Sequence, residues 1–166
     1  AAIHIESSDP VTRLNLNRST LSGNTATNTV DGSGGAIFFY GPGGFTIDST
    51  TISGNTAYQN GGKGIGSGSG TTLSGNTAYQ NGNDGIGTDF GSTVSGNTAY
   101  DNDGDGIDTS SGSTVWGNTI RSNTGFGLNL SAESGYRENV ISSNTAGTVN
   151  GTELVNLGNN ACNGSI

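Results

Sequence analysis

The 166-residue chain carries a net charge of −8 with only five basic residues, and just 29% of it is hydrophobic. That charge excludes nucleic acid as a natural partner, and no apolar run is long enough for insertion into a membrane. So little apolar material cannot fill one large core: the chain is either disordered or buries its hydrophobic residues in a repeating architecture.

Taken in order, residues 1–13 begin part-way through a pattern, because the string AAIHI matches GAIFF at Gly35 to Phe39. A repeat that starts mid-turn exposes strand edges, so end-to-end self-association is expected there. His4, the single histidine, falls in this segment and is a poor candidate for acid–base work. Residues 14–46 hold a first coil with an insertion, since Asn24 and Asn55 are 31 residues apart, and Pro42 sits in the added loop.

Residues 47–112 are regular. One phrase recurs as TTISGNTAYQNGGKGIGSGSG, TTLSGNTAYQNGNDGIGTDFG and STVSGNTAYDNDGDGIDTSSG, and Asn55, Asn76, Asn97 and Asn118 are 21 residues apart. A fixed period near 20 residues, made of short β-favouring runs between Gly and Asn turns, predicts a solenoid and argues against disorder. Residues 113–158 are two divergent coils, and 159–166 are a closing tail. The expected fold is all-β, one domain of about six coils with three parallel sheets.

Because strand neighbours alternate faces, overlaying the coils predicts three inward columns. The first is Leu21, Ile52, Leu73, Val94, Val115 and Ile141; the second is Ala26, Ala57, Ala78, Ala99, Ile120 and Ala146; the third is Ile37, Ile65, Ile86, Ile107, Leu128 and Val155. Asn24, Asn55, Asn76, Asn97, Asn118 and Asn144 are expected to form an amide ladder at one corner, and Asn60, Asn81, Asn102 and Asn123 a second.

Repeats of the form I-S-G-N-T-A…N…G-G-I resemble the right-handed parallel β-helix of pectate-lyase-like proteins. The GGAI string resembles repeats of bacterial surface adhesins, and the ending resembles the closing coil of secreted β-helix proteins. The resemblance covers nearly the whole chain and implies the fold rather than an activity, since that fold hosts lyases, hydrolases, epimerases and adhesins. It implies an extracellular or cell-surface location, to which the absence of Met and the single Lys also lean.

Three constellations could carry function. Asp101, Asp103, Asp105 and Asp108 resemble half of a calcium loop, and Asp84, one coil earlier, could complete a calcium site; the competing reading is a solvated acidic turn. Lys63 over Asp84 is expected to be a surface ion pair. Tyr58, Tyr79 and Tyr100 follow the inward alanines and should point outward as a stacked strip ending on Arg121, either a platform for a polysaccharide or a self-stacked shield of the strands. Thr51/Ser53, Thr72/Ser74 and Thr93/Ser95 form a hydroxyl grid that Trp116 interrupts, a remote resemblance to ice-binding faces.

The leading functional expectation is a non-catalytic structural or binding solenoid, a spacer or adhesin domain that contacts polysaccharide or a cell-surface partner. The alternative is a calcium-assisted polysaccharide lyase or epimerase. No Gly-His-Gly or Arg-x-Lys motif of β-helix hydrolases is present. Cys162 has no internal partner for a disulfide, and sequons occur at Asn17, Asn129, Asn150 and Asn163.

Overall fold

A computed structural model describes residues 50–163 continuously, preceded by the segments 3–6, 13–17, 20–23, 25–27, 37–40 and 44–48. Asn24 and Pro42, and the side chains of His4, Leu21, Ala26 and Ile37, lie outside the described residues.

The chain winds into a parallel β-solenoid with three sheets. The first sheet runs from Thr20–Ser22 through Thr51–Ser53, Thr72–Ser74, Thr93–Ser95, Thr114–Trp116 and Gly135–Arg137 to Val155–Asn156. The second runs from Thr25–Thr27 through Thr56–Tyr58, Thr77–Tyr79, Thr98–Tyr100, Thr119–Arg121 and Val140–Ser142 to Ala161–Asn163. The third has five strands, Ile65–Gly66, Ile86–Thr88, Ile107–Thr109, Phe126–Leu130 and Gly147–Asn150. Among the described residues, five turns contribute to all three sheets. Two parallel pairs lie among the earlier segments, Ile3–Glu6 with Ile37–Tyr40 and Arg13–Asn17 with Gly44–Asp48. The first aligns Ile3 with Ile37, as the likeness of AAIHI to GAIFF requires.

Each turn closes through three corners of one design: a residue with left-handed backbone, then a buried polar side chain. At the first corner Gly54, Gly75, Gly96 and Gly117 have φ between 61° and 65°, with Glu138 and Asn159 taking the same role further on. At the second, Gln59, Gln80, Asp101, Ser122 and Ser143 have φ between 54° and 57°. A left-handed residue costs a non-glycine side chain roughly 1 kcal/mol, which the stacked turns above and below must offset.

The buried polar residue then joins its equivalents 21 positions away. Asn55 donates from both backbone N and Nδ2 to Asn76 Oδ1, and Asn76, Asn97, Asn118 and Asn139 repeat the pattern up to Asn160. A second ladder runs Asn60, Asn81, Asn102, Asn123, Asn144. Asn144 thus belongs to the second ladder, not the first, where Asn139 stands. A third ladder, not foreseen, occupies the remaining corner: Thr71, Ser92 and Ser113 each donate a backbone N–H to the hydroxyl 21 residues ahead, ending on Ser134. These side chains satisfy backbone groups that would otherwise be buried and unpaired.

The narrow core holds the aliphatic columns, with Leu73, Ile86, Val94, Ile107, Val115, Ile120, Leu128 and Ile141 fully buried. Three expected members are placed differently. Val115 is followed by Tyr136 in the first column, and Ile141 follows Ile120 in the second, displacing Ala146. Leu128 is followed by Val149 in the third, and Val155 lies in the first sheet beside Gly135, half exposed. Cys162 caps the second column beyond Ile141.

Candidate functional site

Two surfaces gather the residues that the sequence singles out. The first is the corner that leads into the third sheet, where every turn differs in charge. Asp84 is buried, and its Oδ1 accepts the Asp105 backbone N–H at 2.9 Å; Asp105 Oδ1 in turn accepts the Phe126 N–H at 2.6 Å. A carboxylate here caps the backbone of the next turn. Gly104 follows from this arrangement, since a β-carbon there would stand 2.5 Å from Asp84 Oδ1.

Lys63 reaches further than a single neighbour. Its Nζ lies 3.2 Å from Asp84 Oδ2 and 3.3 Å from Asp108 Oδ2, two turns away. The lysine stem passes over Gly87, and a β-carbon at that position would collide with it. Asp108 Oδ1 also accepts from Asn129 Nδ2, and Asn129 Oδ1 accepts from Asn150 Nδ2, so the outer face of the third sheet carries a continuous polar chain.

Burial by itself would lower the Lys63 pKa, but the two carboxylates outweigh it and the net displacement from 10.5 is upward. Burial also lifts Asp108 above its ordinary 3.8; Lys63 pulls it down, and repulsion from Asp84 and Asp105 adds to the rise. The lysine side chain is 39% exposed. Solvent screening therefore holds the ion pairs to about 1 kcal/mol at most.

Of the five aspartates expected to hold calcium, the structure brings Asp84 and Asp108 together on the Lys63 ammonium. Asp84 and Asp105 turn to backbone N–H groups and Asp108 to Lys63 and Asn129. Asp101 is exposed at the left-handed corner position, and Asp103 is exposed with its N–H donated to Asn81. Among the described residues, no three of His, Cys, Asp or Glu come together closely enough to hold a metal ion.

The second surface is the outer face of the second sheet. Tyr58 stacks on Tyr79 with centroids 5.1 Å apart and planes 4° from parallel, and Tyr79 on Tyr100 at 4.9 Å and 1°. The Arg121 guanidinium lies 4.5 Å from the Tyr100 centroid and ends the strip as the sequence indicates. A parallel row of Thr56, Thr77, Thr98 and Thr119 runs beside it. The strand spacing of about 4.8 Å sets this stack. Its consequence is that the ring faces cover one another, so the strip offers hydroxyls and ring edges rather than open faces. Desolvation and the neighbouring phenols Tyr100 and Tyr58 raise the Tyr79 pKa above 10.0.

On the first sheet the hydroxyl grid is in register, Thr51, Thr72, Thr93 and Thr114 in one row and Ser53, Ser74 and Ser95 in the other. It ends at Trp116, which Arg137 covers at 5.3 Å, a contact the sequence reading missed although the two are 21 residues apart. Beyond it the face is apolar, with Val155 and Leu157 more than half exposed or nearly so.

A family model described as a right-handed β-helix region matches residues 1–162. The chain belongs to the right-handed β-helix family. The pectate-lyase-like superfamily is consistent with this β-helix, whose three parallel sheets are those expected from the repeats. No curated protein and no solved structure matches the chain.

Proposed function

We propose that this β-helix works outside the cell as a stiff, non-catalytic module, a spacer or adhesin-type domain whose second-sheet face contacts an extended polysaccharide. The observation that carries the reading is the in-register row Tyr58, Tyr79, Tyr100 and Arg121, flanked by the threonine row. The row repeats every 4.9–5.1 Å along the solenoid axis, which suits a polymer lying along that axis and hydrogen-bonding through its own regular repeat. Contact is through phenol hydroxyls, ring edges and the guanidinium, because the ring faces are covered. The net charge of −8 favours a neutral glycan over an acidic one.

The test is co-sedimentation with insoluble neutral polysaccharides, with calcium and with chelator, together with the size profile of soluble chains after incubation. Retention without shortening is expected, and Tyr79→Ala with Tyr100→Ala should abolish it in a protein that still unfolds cooperatively, with a melting temperature lowered only as far as the lost ring stacks require. Shortened chains would replace this reading with the enzymatic one and direct attention to Asp84, Asp103 and Asp105. Retention that survives the tyrosine substitutions would move the contact elsewhere. No retention of any glycan would leave the spacer role alone.

A further inference from the structure

The first sheet carries an aromatic face of a kind that the stacked tyrosines of the second sheet lack. Side chains in one outward row stand about 4.8 Å apart along the axis, so rings in neighbouring turns cover each other. Tyr58, Tyr79 and Tyr100 do so. Trp116 has no ring on either side, because its row reads Ser53, Ser74, Ser95, Trp116, Arg137. The Arg137 guanidinium covers one face of the indole at 5.3 Å. The opposite face looks back towards the preceding turn. There Thr93, Ser95 and Gly96 have short side chains or none, so the indole is bordered by small residues in whichever direction it leans. Trp116 is 37% exposed although Arg137 lies over it, and that exposure falls on the second face and the ring edge.

Ser95 thus leaves one strand interval low beside an indole. A flat ring lying against the indole at the ordinary carbon contact of about 3.5–4 Å fits within that interval of about 4.8 Å. Thr93 and Ser95 stand beneath it, with Thr72 and Ser74 one turn further, all of them outward hydroxyls that can donate or accept. We propose that Trp116, with the hydroxyls of Thr93, Ser95 and Ser74, forms a binding subsite for one ring of a neutral saccharide.

The chemistry of the site selects that class. A pyranose presents C–H groups on one face, which the negative face of the indole attracts. It carries hydroxyls round its rim, which serine and threonine can meet. The two rows of the grid before Trp116 hold no charged side chain to fix an ionised ligand, and the net charge of −8 repels anions. A sugar ring stacked here lies across the solenoid axis, so the chain joined to it would run across the first sheet. On the second sheet the polymer lies along the axis. The subsite therefore does not rest on the second-sheet reading.

Trp116 is the chain's one tryptophan, so its emission reports on this site alone. The protein is titrated with soluble neutral oligosaccharides of glucose, of xylose and of N-acetylglucosamine while tryptophan emission is followed. A saturable blue shift is expected with at least one of them, because a stacked sugar ring removes water from the indole. Ser95→Leu fills the interval from an outward position and should abolish the response. Ser95→Ala keeps the interval, removes one hydroxyl and should weaken binding about fivefold. Tyr79→Ala with Tyr100→Ala should leave the response unchanged, which separates this subsite from the second-sheet contact.

No saturable change with any of these sugars would overturn the proposal. So would a response that survives Ser95→Leu, or one lost with the tyrosines. A shift that appears on raising the protein concentration without sugar would also overturn it, by seating a second copy on the indole.

Discussion

Asn97 binds Asn118 twice through one atom: its backbone N and its Nδ2 both donate to Asn118 Oδ1, at 2.9 and 3.0 Å. Asn97 Nδ2 also reaches Leu73 O, and Asn97 Oδ1 serves Asn76 in the same way. One side chain thus links three successive turns.

Asn97→Ala removes the acceptor for the buried Asn76 N–H and amide, and the donor to Leu73. At about 1–3 kcal/mol for each buried group left unpaired, the loss should be on the order of 3 kcal/mol or more in urea unfolding. Thr98→Ala, one residue on and facing outward, should change stability by about 0.5 kcal/mol or less.

Gly106 and Gly96 should respond differently to alanine. A β-carbon on Gly106 would collide with Ile120 Cγ2 and stand 2.8 Å from both Asn123 Nδ2 and Gly127 O. Such overpacking should cost about 3 kcal/mol. A β-carbon on Gly96 would meet only Gly75 N, at an ordinary 4.0 Å, and the φ of 61° is the remaining objection, so Gly96→Ala should cost about 1 kcal/mol. Thermal melts of the two variants side by side check the contrast.

Thr109 is 2% exposed, and its hydroxyl has no hydrogen-bond partner. Replacing a buried, unpaired hydroxyl with a methyl of the same shape removes a desolvation cost. Thr109→Val is therefore expected to raise stability by about 1 kcal/mol, read as a higher urea midpoint.

Alkaline pH should weaken the fold through two groups. Lys63 and Tyr79 both have pKa values raised above their ordinary 10.5 and 10.0. A raised value means the native state holds the proton more tightly than the unfolded chain, so the contribution is complete below the ordinary value. It is lost as pH climbs through the native one. Melting temperature should fall above about pH 10 in the wild type, and less steeply in Tyr79→Phe and Lys63→Met.

Much of this molecule can be read from the interval of 21 residues alone. The outward tyrosines, Arg121 over Tyr100 and the placement of Asn55, Asn76, Asn97 and Asn118 follow from it directly. The reading departed from the interval correctly before Ile52, where Leu21 pairs with Ile52 and Ala26 with Ala57 at 31 residues, and wrongly after Leu128. The string VISSNTA looks like TISGNTA, which drew Ile141 into the first column and Asn144 into the first ladder, although Asn139 lies 21 residues after Asn118. The two corners share one geometry, a left-handed residue before a buried asparagine, so Ser143-Asn144 fits the second as Gly117-Asn118 fits the first. Local likeness cannot separate positions that have the same backbone; the hydrogen-bonded register can.

The sequence by itself determined the period, the parallel sheets and which residues of the regular turns face inward, because in-register stacking makes each residue the neighbour of its own equivalent. The tertiary structure alone decided the direction of the polar side chains. Asp84 and Asp105 each turn one oxygen along the axis to cap the next turn's backbone, and Lys63 joins Asp84 and reaches past it to Asp108. Those choices depend on which N–H groups the stacked turns leave open and on the gap at Gly87, and both exist only once the turns are in place.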